Sequence, residues 1–251
     1  MTSPILNSES WKNPSELLII AHRGGLFYRP ENTLAAFKNT FEMNMNWVEC
    51  DIRITRDNIP VLVHDERISG NGGERPVVRD LDYKEIRRID VGGGEYIPTL
   101  EQVLIEFGAI LMFDLEIKEL DAVDEVIRVV EKYIDTERVI ITSFIPDALQ
   151  SVRKLAPDIV RGLLVDRLTG RLAGVKRAIK AARLLGCDYF LPHSNRLSPE
   201  WSRAAHNEGL KVVPWTVNKI DNVEKMLTCQ VDGLITDDPE AVRSMVDKLK
   251  K

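Results

Sequence analysis

Cysteine is scarce in this chain of 251 residues: Cys50, Cys187 and Cys229 are the only three. They are odd in number and widely spaced, which excludes a disulfide framework and a thiolate metal site and points to a reducing compartment. Long apolar runs are missing too. No stretch approaches the roughly 18–20 residues that span a bilayer. The opening MTSPILNSESWKNPSELLII lacks the basic start, apolar core and small-residue cleavage site of an export signal. A cytoplasmic protein without stable membrane insertion is therefore expected. Nor is there a basic stretch: 34 Lys and Arg against 39 Asp and Glu leave a net charge of −5, which argues against a nucleic-acid partner. No glycine-rich phosphate loop follows any strand-like segment.

What is present is a rhythm. With 44% hydrophobic residues, the chain can build one large core. Strand-like patterns at 17–23, 47–54, 110–117, 138–144, 160–165, 188–192, 211–217 and 233–237 alternate with helical patterns at 33–43, 100–107, 123–133, 146–155, 173–185, 199–209, 221–229 and 239–250. Asn32 reads as the N-cap of the first helix; Pro146, Pro199 and Pro239 stand at or near helix starts. Eight strands each followed by a helix predict an α/β fold, a closed (β/α)8 TIM barrel over residues 1–251. An open doubly wound sheet would need a switch point, and its usual phosphate loop is absent. One unit breaks the rhythm. After the second strand, RDN (56–58) reads as a turn and IPVLVH (59–64) as a returning strand. A small insertion follows over 66–98, at the strand end where this fold carries its active site, which suggests a cap over substrate.

The second strand, WVECDIRI, carries acid where a barrel interior should be apolar. Glu49 and Asp51 are two apart and share a face with Trp47. Burying two unpaired carboxylates costs several kcal/mol. Glu116 and Lys118 repeat the spacing on the third barrel strand, and His22 and Arg23 end the first. The three acids suit one hard divalent cation, Mg²⁺ or Ca²⁺, through oxygen ligands; a salt-bridge network with Arg23 and Lys118 is the other reading. If the RDN turn pairs residues whose numbers sum to about 115, His64 arrives beside Asp51. Two imidazoles and a cation suit phosphodiester cleavage, one taking a proton and the other giving one to the leaving alkoxide, with Arg23 and Lys118 on the phosphate. Ser143, Phe144, Asp166, His193, Asn218 and Asp237 also fall at strand ends, whereas His206 reads as a solvated helix residue.

The motifs AHRG (21–24), PENT (30–33), ECDIRITRDNIPVLVHD (49–65), IPTLEQVL (97–104), LEIK (115–118), VPWTVN (213–218) and DGLITDDP (232–239) resemble, in that order, those of the glycerophosphodiester phosphodiesterase family. The resemblance implies a TIM barrel with a small insertion after the second strand. It implies His22 and His64 as the acid–base pair, and Glu49, Asp51 and Glu116 as ligands of Mg²⁺ or Ca²⁺. Arg23 and Lys118 match phosphate contacts, Trp215 an aromatic against the glycerol, and Glu31 and Asn32 a segment bordering the site. Asp114, on the face of Glu116, departs from the pattern: it either alters the charge around the cation or bonds deeper in the barrel. The implied reaction is hydrolysis of a glycerophosphodiester to sn-glycerol 3-phosphate and an alcohol. The alternatives are a lysophospholipase D or sphingomyelinase D-like phospholipid phosphodiesterase, and a non-catalytic binding barrel.

Overall fold

A computed structural model describes residues 17–27, 30–70, 75–166 and 172–249. Eight parallel strands wind into a nearly closed barrel: β1 (Leu18–Ala21), β2 (Trp47–Ile54), β6 (Met112–Ile117), β7 (Val139–Ser143), β8 (Val160–Val165), β9 (Tyr189–Pro192), β10 (Lys211–Val212) and β11 (Gly233–Thr236). Between them run α1 (Leu34–Glu42), α3 (Leu100–Phe107), α4 (Val123–Tyr133), α5 (Pro146–Leu155), α6 (Leu172–Leu184), α7 (Pro199–Asn207) and α8 (Ile220–Thr228); α9 (Pro239–Leu249) follows β11. The strand pattern at 211–217 shortens to two residues of ladder. Pro214 has no N–H to give, and individual bonds complete the wall: Ile235 N donates to Pro214 O at 3.0 Å and Val217 N to Ile235 O at 2.9 Å. Among the described residues no helix is long and apolar enough to cross a membrane.

Strand alternation divides the core in two. Val48, Cys50 and Ile52 of β2, with Phe113, Leu115 and Ile117 of β6, face outward onto the helices. Ile20, Trp47, Met112, Ile140, Leu164, Tyr189 and Ile235 fill the barrel interior. Above that apolar layer the β2–β6 register stacks two acidic rungs. Trp47 pairs with Met112, Glu49 with Asp114, and Asp51 with Glu116. Four carboxylates thus enter the barrel from two adjacent strands, on its C-terminal side.

After β2 the chain turns through Thr55–Asn58, with Asn58 in the left-handed region at φ 60°, a conformation Asn tolerates. It returns as β3 (Pro60–Leu62), antiparallel to β2, with Ile52 opposite Leu62 and Ile54 opposite Pro60. The paired numbers sum to 114, one less than expected. Val63, whose N–H donates to Asp51 O at 3.0 Å, therefore stands opposite Asp51, and His64 one residue beyond.

The segment that follows holds a short helix α2 (Tyr83–Ile86) and a hairpin of β4 (Asp90–Gly92) and β5 (Glu95–Tyr96). It has a small core of its own: Val61, Ile68, Val78, Ile86 and Ile97 are buried together, with Tyr83, Ile89 and Val91 packed around them. Gly72 and Gly73 lie outside the described residues.

Candidate active site

The turn that ends β1 shapes one side of the site. Gly24 has φ +80°, and a Cβ there would lie 2.8 Å from the Ala36 Cβ, so only glycine lets this turn press on α1. Arg23 is itself left-handed at φ 52°. Its backbone N–H donates to Glu49 Oε2 at 2.9 Å.

Glu49, Asp51 and Glu116 are buried, and each offers one oxygen within 4.8 Å of the others. Burial, joined by the charges of Asp51, Glu116 and Asp114, pushes the Glu49 carboxyl well above its usual range. Burial likewise raises Glu116 to about 7, against the pull of Lys118. Asp51 goes the other way. Burial would raise it, but Lys118 and Arg23 outweigh that and hold it at about 2. Lys118 Nζ stands 2.6 Å from Glu116 Oε1 and 2.9 Å from Asp51 Oδ1; Arg23 Nε is 3.2 Å from Asp51 Oδ2. Two cations do not balance four carboxylates, and Glu49 Oε1 is buried without a hydrogen-bond partner. An all-oxygen set with excess negative charge and an orphaned acceptor fits a hard divalent cation. The salt-bridge network is real but incomplete. The cluster is able to hold a metal ion.

Asp114 sits one rung deeper and accepts from Thr142 Oγ1 at 2.6 Å. Burial raises it to about 7, partly offset by that bond. It bonds within the barrel and still adds to the negative field that raises Glu49.

The two imidazoles are each gripped at Nδ1 by a carboxylate. His22 Nδ1 lies 2.6 Å from Asp237 Oδ1, and its Nε2 is 3.8 Å from Glu49 Oε2. Burial pushes the Asp237 carboxyl up, but hydrogen bonds from His22 and Asn218 outweigh it and hold Asp237 below its usual value. An ionised carboxylate only accepts, so His22 Nδ1 carries a proton and Nε2 is the nitrogen turned toward the acidic cluster. His64 Nδ1 is 2.8 Å from Asp65 Oδ1. Burial pulls His64 below the usual imidazole value, partly opposed by Asp51.

At the far rim Trp215 donates Nε1 to Leu191 O at 2.9 Å. It packs edge-on against Phe144 and His193, at centroid distances of 5.4 and 5.0 Å.

A glycerophosphoryl diester phosphodiesterase family model matches residues 22–241, nearly the whole barrel. The chain belongs to that family. It is 34% identical over 244 residues to a glycerophosphodiester phosphodiesterase of Caldanaerobacter subterraneus subsp. tengcongensis, covering 92% of this chain and 98% of the relative. Its fold matches the crystal structure of the Thermotoga maritima glycerophosphodiester phosphodiesterase with a TM-score of 0.78 at 26% identity, over 92% of this chain and 98% of the other. An Oleispira antarctica phosphodiesterase, seen in complex with the product sn-glycerol-3-phosphate, matches with a TM-score of 0.82 at 26% identity, over 92% and 96% of the two chains.

Several residues of this candidate site do more, or other, than their positions in the sequence suggest. Asn32 does not cap the first helix; Thr33 does, accepting from Ala36 N at 3.2 Å. Asn32 instead turns left-handed at φ 57° and clasps Asp51, its Nδ2 donating to Oδ2 at 2.9 Å and its Oδ1 accepting from the Asp51 N–H at 3.2 Å. Glu31 accepts from Arg23 Nη1 at 2.8 Å. His206 is not freely solvated: it is half-buried, with Nε2 2.9 Å from Asp232 Oδ2. Ser143 is structural, donating to Ile117 O at 2.7 Å, and Asp166 is exposed. Asp65, the partner of His64, follows it directly in VHD, an adjacency that is the one signal of the pair in the sequence. Asn218, which donates to Asp237 Oδ2 at 2.6 Å, offered only its place at a strand end.

Proposed function

We propose that this chain hydrolyses glycerophosphodiesters to sn-glycerol 3-phosphate and an alcohol. The carrying observation is the convergence of two carboxylate-gripped imidazoles on a buried triad of acids at the C-terminal end of a barrel. Glu49, Asp51 and Glu116 would hold one divalent cation, Mg²⁺ or Ca²⁺. When bound, such a cation neutralises charge on a phosphoryl oxygen and helps generate a nucleophile. His22, its Nδ1–H fixed by Asp237, accepts a proton at Nε2. His64 donates one from Nε2 to the departing alkoxide. Arg23 and Lys118, already at the carboxylates, add charge-assisted hydrogen bonds to the phosphate, and Trp215 packs against the glycerol.

A cleft of about 300 Å³ runs between Glu31 and Asn32 on one side and Asp65, Arg67 and Val91 on the other. Val63 and Asp65, which flank His64 in the chain, line it too, so in this scheme the insertion caps the leaving-alcohol side. Soluble small diesters in the cytoplasm are the expected substrates.

The test is product analysis on a panel of glycerophosphodiesters, with cation stripped and then restored. Release of sn-glycerol 3-phosphate that returns with Mg²⁺ or Ca²⁺ supports the reading. Turnover confined to lysophospholipids or sphingomyelin favours the phospholipid alternative, and absence of turnover on every substrate a binding barrel.

A further inference from the structure

We infer that Arg53 is a positioning residue for His64, and that Glu119 holds Arg53 in that role. The inference rests on the reading of His64 as the acid. The β2–β3 ladder ends at Leu62, and its last backbone tie is Val63 N to Asp51 O at 3.0 Å. His64 lies past that tie, half-exposed, and its side-chain partner Asp65 is 57% exposed. Neither the ladder nor burial therefore fixes His64. Arg53 does. It is the next residue after Asp51 on the inward face of β2, and its Nε donates to His64 O at 2.9 Å. Its Nη1 donates to Glu119 Oε1 at 2.6 Å. Only 16% of the Arg53 side chain and 21% of Glu119 are exposed, so this charge-assisted bridge is shielded from solvent.

The bridge joins the imidazole-bearing end of β3 to the chain just after β6. That stretch also carries Lys118, whose backbone N–H donates to Ile52 O at 3.1 Å. One guanidinium thus fixes the acid relative to the phosphate-side cation and the acidic rungs. Arg's planar fork can serve two acceptors in fixed directions, which a lysine ammonium cannot reproduce. A second tie, Arg79 to Asp121, joins the insertion to the chain after β6 but is exposed at both partners, 40% and 54%, and serves as a control.

Misplacing a reacting group by about 1 Å can cost on the order of a hundredfold. The expected outcome for Arg53→Ala is a fall in kcat of about 10–100-fold on an alkyl leaving group such as ethanolamine, with KM little changed. On the p-nitrophenyl ester, whose leaving group needs no proton, the loss should be slight. In a His64→Ala background Arg53→Ala should cost nothing more on the alkyl ester, since the group it positions is gone. Arg53→Lys should fall between Arg53→Ala and the native enzyme, and Glu119→Gln should show a small loss of the same leaving-group signature. Arg79→Ala should leave kinetics unchanged. Circular dichroism and Tm check each fold; if Arg53→Ala does not fold, Arg53→Lys and Glu119→Gln carry the same comparison. Equal losses on both esters, or additive losses with His64→Ala, overturn the inference. A silent Arg53→Ala beside a damaging His64→Ala overturns it alone. A silent His64→Ala overturns the reading of His64 and this inference with it.

Discussion

His22 and Asp237 stand 215 residues apart in the chain and 2.6 Å apart in space, whereas His64 and Asp65 are neighbours in both. The first pair exists only because β1 and β11 lie side by side, with Ala21 opposite Thr236. The side chains of that pair are only 16% and 13% exposed. Asn218 anchors it further: its Nδ2 donates to Asp237 Oδ2, and its Oδ1 accepts from Thr236 Oγ1 and the Asp237 N–H, both at 2.9 Å. The second pair sits 35% and 57% exposed at the foot of the insertion. One imidazole is built into the barrel wall; the other is attached to its rim. That difference suits a base needing a single tautomer beside the acidic cluster, and an acid that must meet leaving groups of varied shape.

Removing the cation should have the largest effect, because it strikes both sides of this comparison at once. Lys118 and Arg23 only partly offset the repulsion among Glu49, Asp51, Glu116 and Asp114, so exhaustive chelation should abolish turnover and lower Tm. Undiminished hydrolysis with no metal left by elemental analysis ends the metal reading. Glu49→Gln keeps the shape and an acceptor for the Arg23 N–H; it should weaken cation affinity while leaving the fold intact by circular dichroism.

The histidines separate the two sides. His22→Ala and His64→Ala should each cost about 10²–10⁴ in rate on an alkyl diester. With p-nitrophenolate as leaving group, only the loss in His22→Ala should persist. Equal losses on both esters for His64→Ala would rule out its role as acid.

Their partners should differ more than the histidines do. Asp237→Asn places an amide against His22 Nδ1 and favours the wrong tautomer, so kcat should fall about a hundredfold or more. Asp65→Asn should cost less than about tenfold, because water can replace a partner that is largely exposed. Similar losses for the two variants would erase the distinction between wall and rim. The measurement is kcat on one alkyl substrate for both variants, each shown to be folded.

How far the sequence reveals this site follows from which contacts are local. The period of two in WVECDIRI and MFDLEI was enough to place Glu49, Asp51, Asp114 and Glu116 in the barrel, and neighbouring parallel strands do bring them together. The RDN turn put His64 within one residue of its observed register. The Asn218–Asp237–His22 chain was not legible, because it depends on the barrel closing between its first and last strands. Asn32 misled for a local reason. Asn and Thr are both good caps, and only the left-handed turn at Asn32 frees its amide for Asp51. His206 misled because its acidic partner, Asp232, lies beyond another strand and helix. The extent of structure in 66–98 was hidden by its glycines, which read as loop although Ile68, Val78, Ile86 and Ile97 space out a small core.

That small core allows the gentlest test of wall against rim. Ile86 is fully buried, yet its surroundings belong to the insertion and β3, not to the barrel interior. Truncating a buried isoleucine to alanine costs about 2–5 kcal/mol. In Ile86→Ala that loss should fall on the insertion as a local unit, because the barrel keeps its own core of Ile20, Trp47, Met112 and Ile235. The acidic rungs and His22 hang from the barrel wall, so kcat should hold within a few fold. KM should rise and substrate preference shift, since Val91 and Arg67 of the insertion line the same cleft as Asp65, the partner of His64. Limited proteolysis should cut within 66–98 before the barrel is touched, and hydrogen exchange should quicken there first. Should Ile86→Ala instead unfold the whole chain in one transition with unchanged KM, the insertion would be part of the barrel's single cooperative core, and its role as a separate cap would be lost.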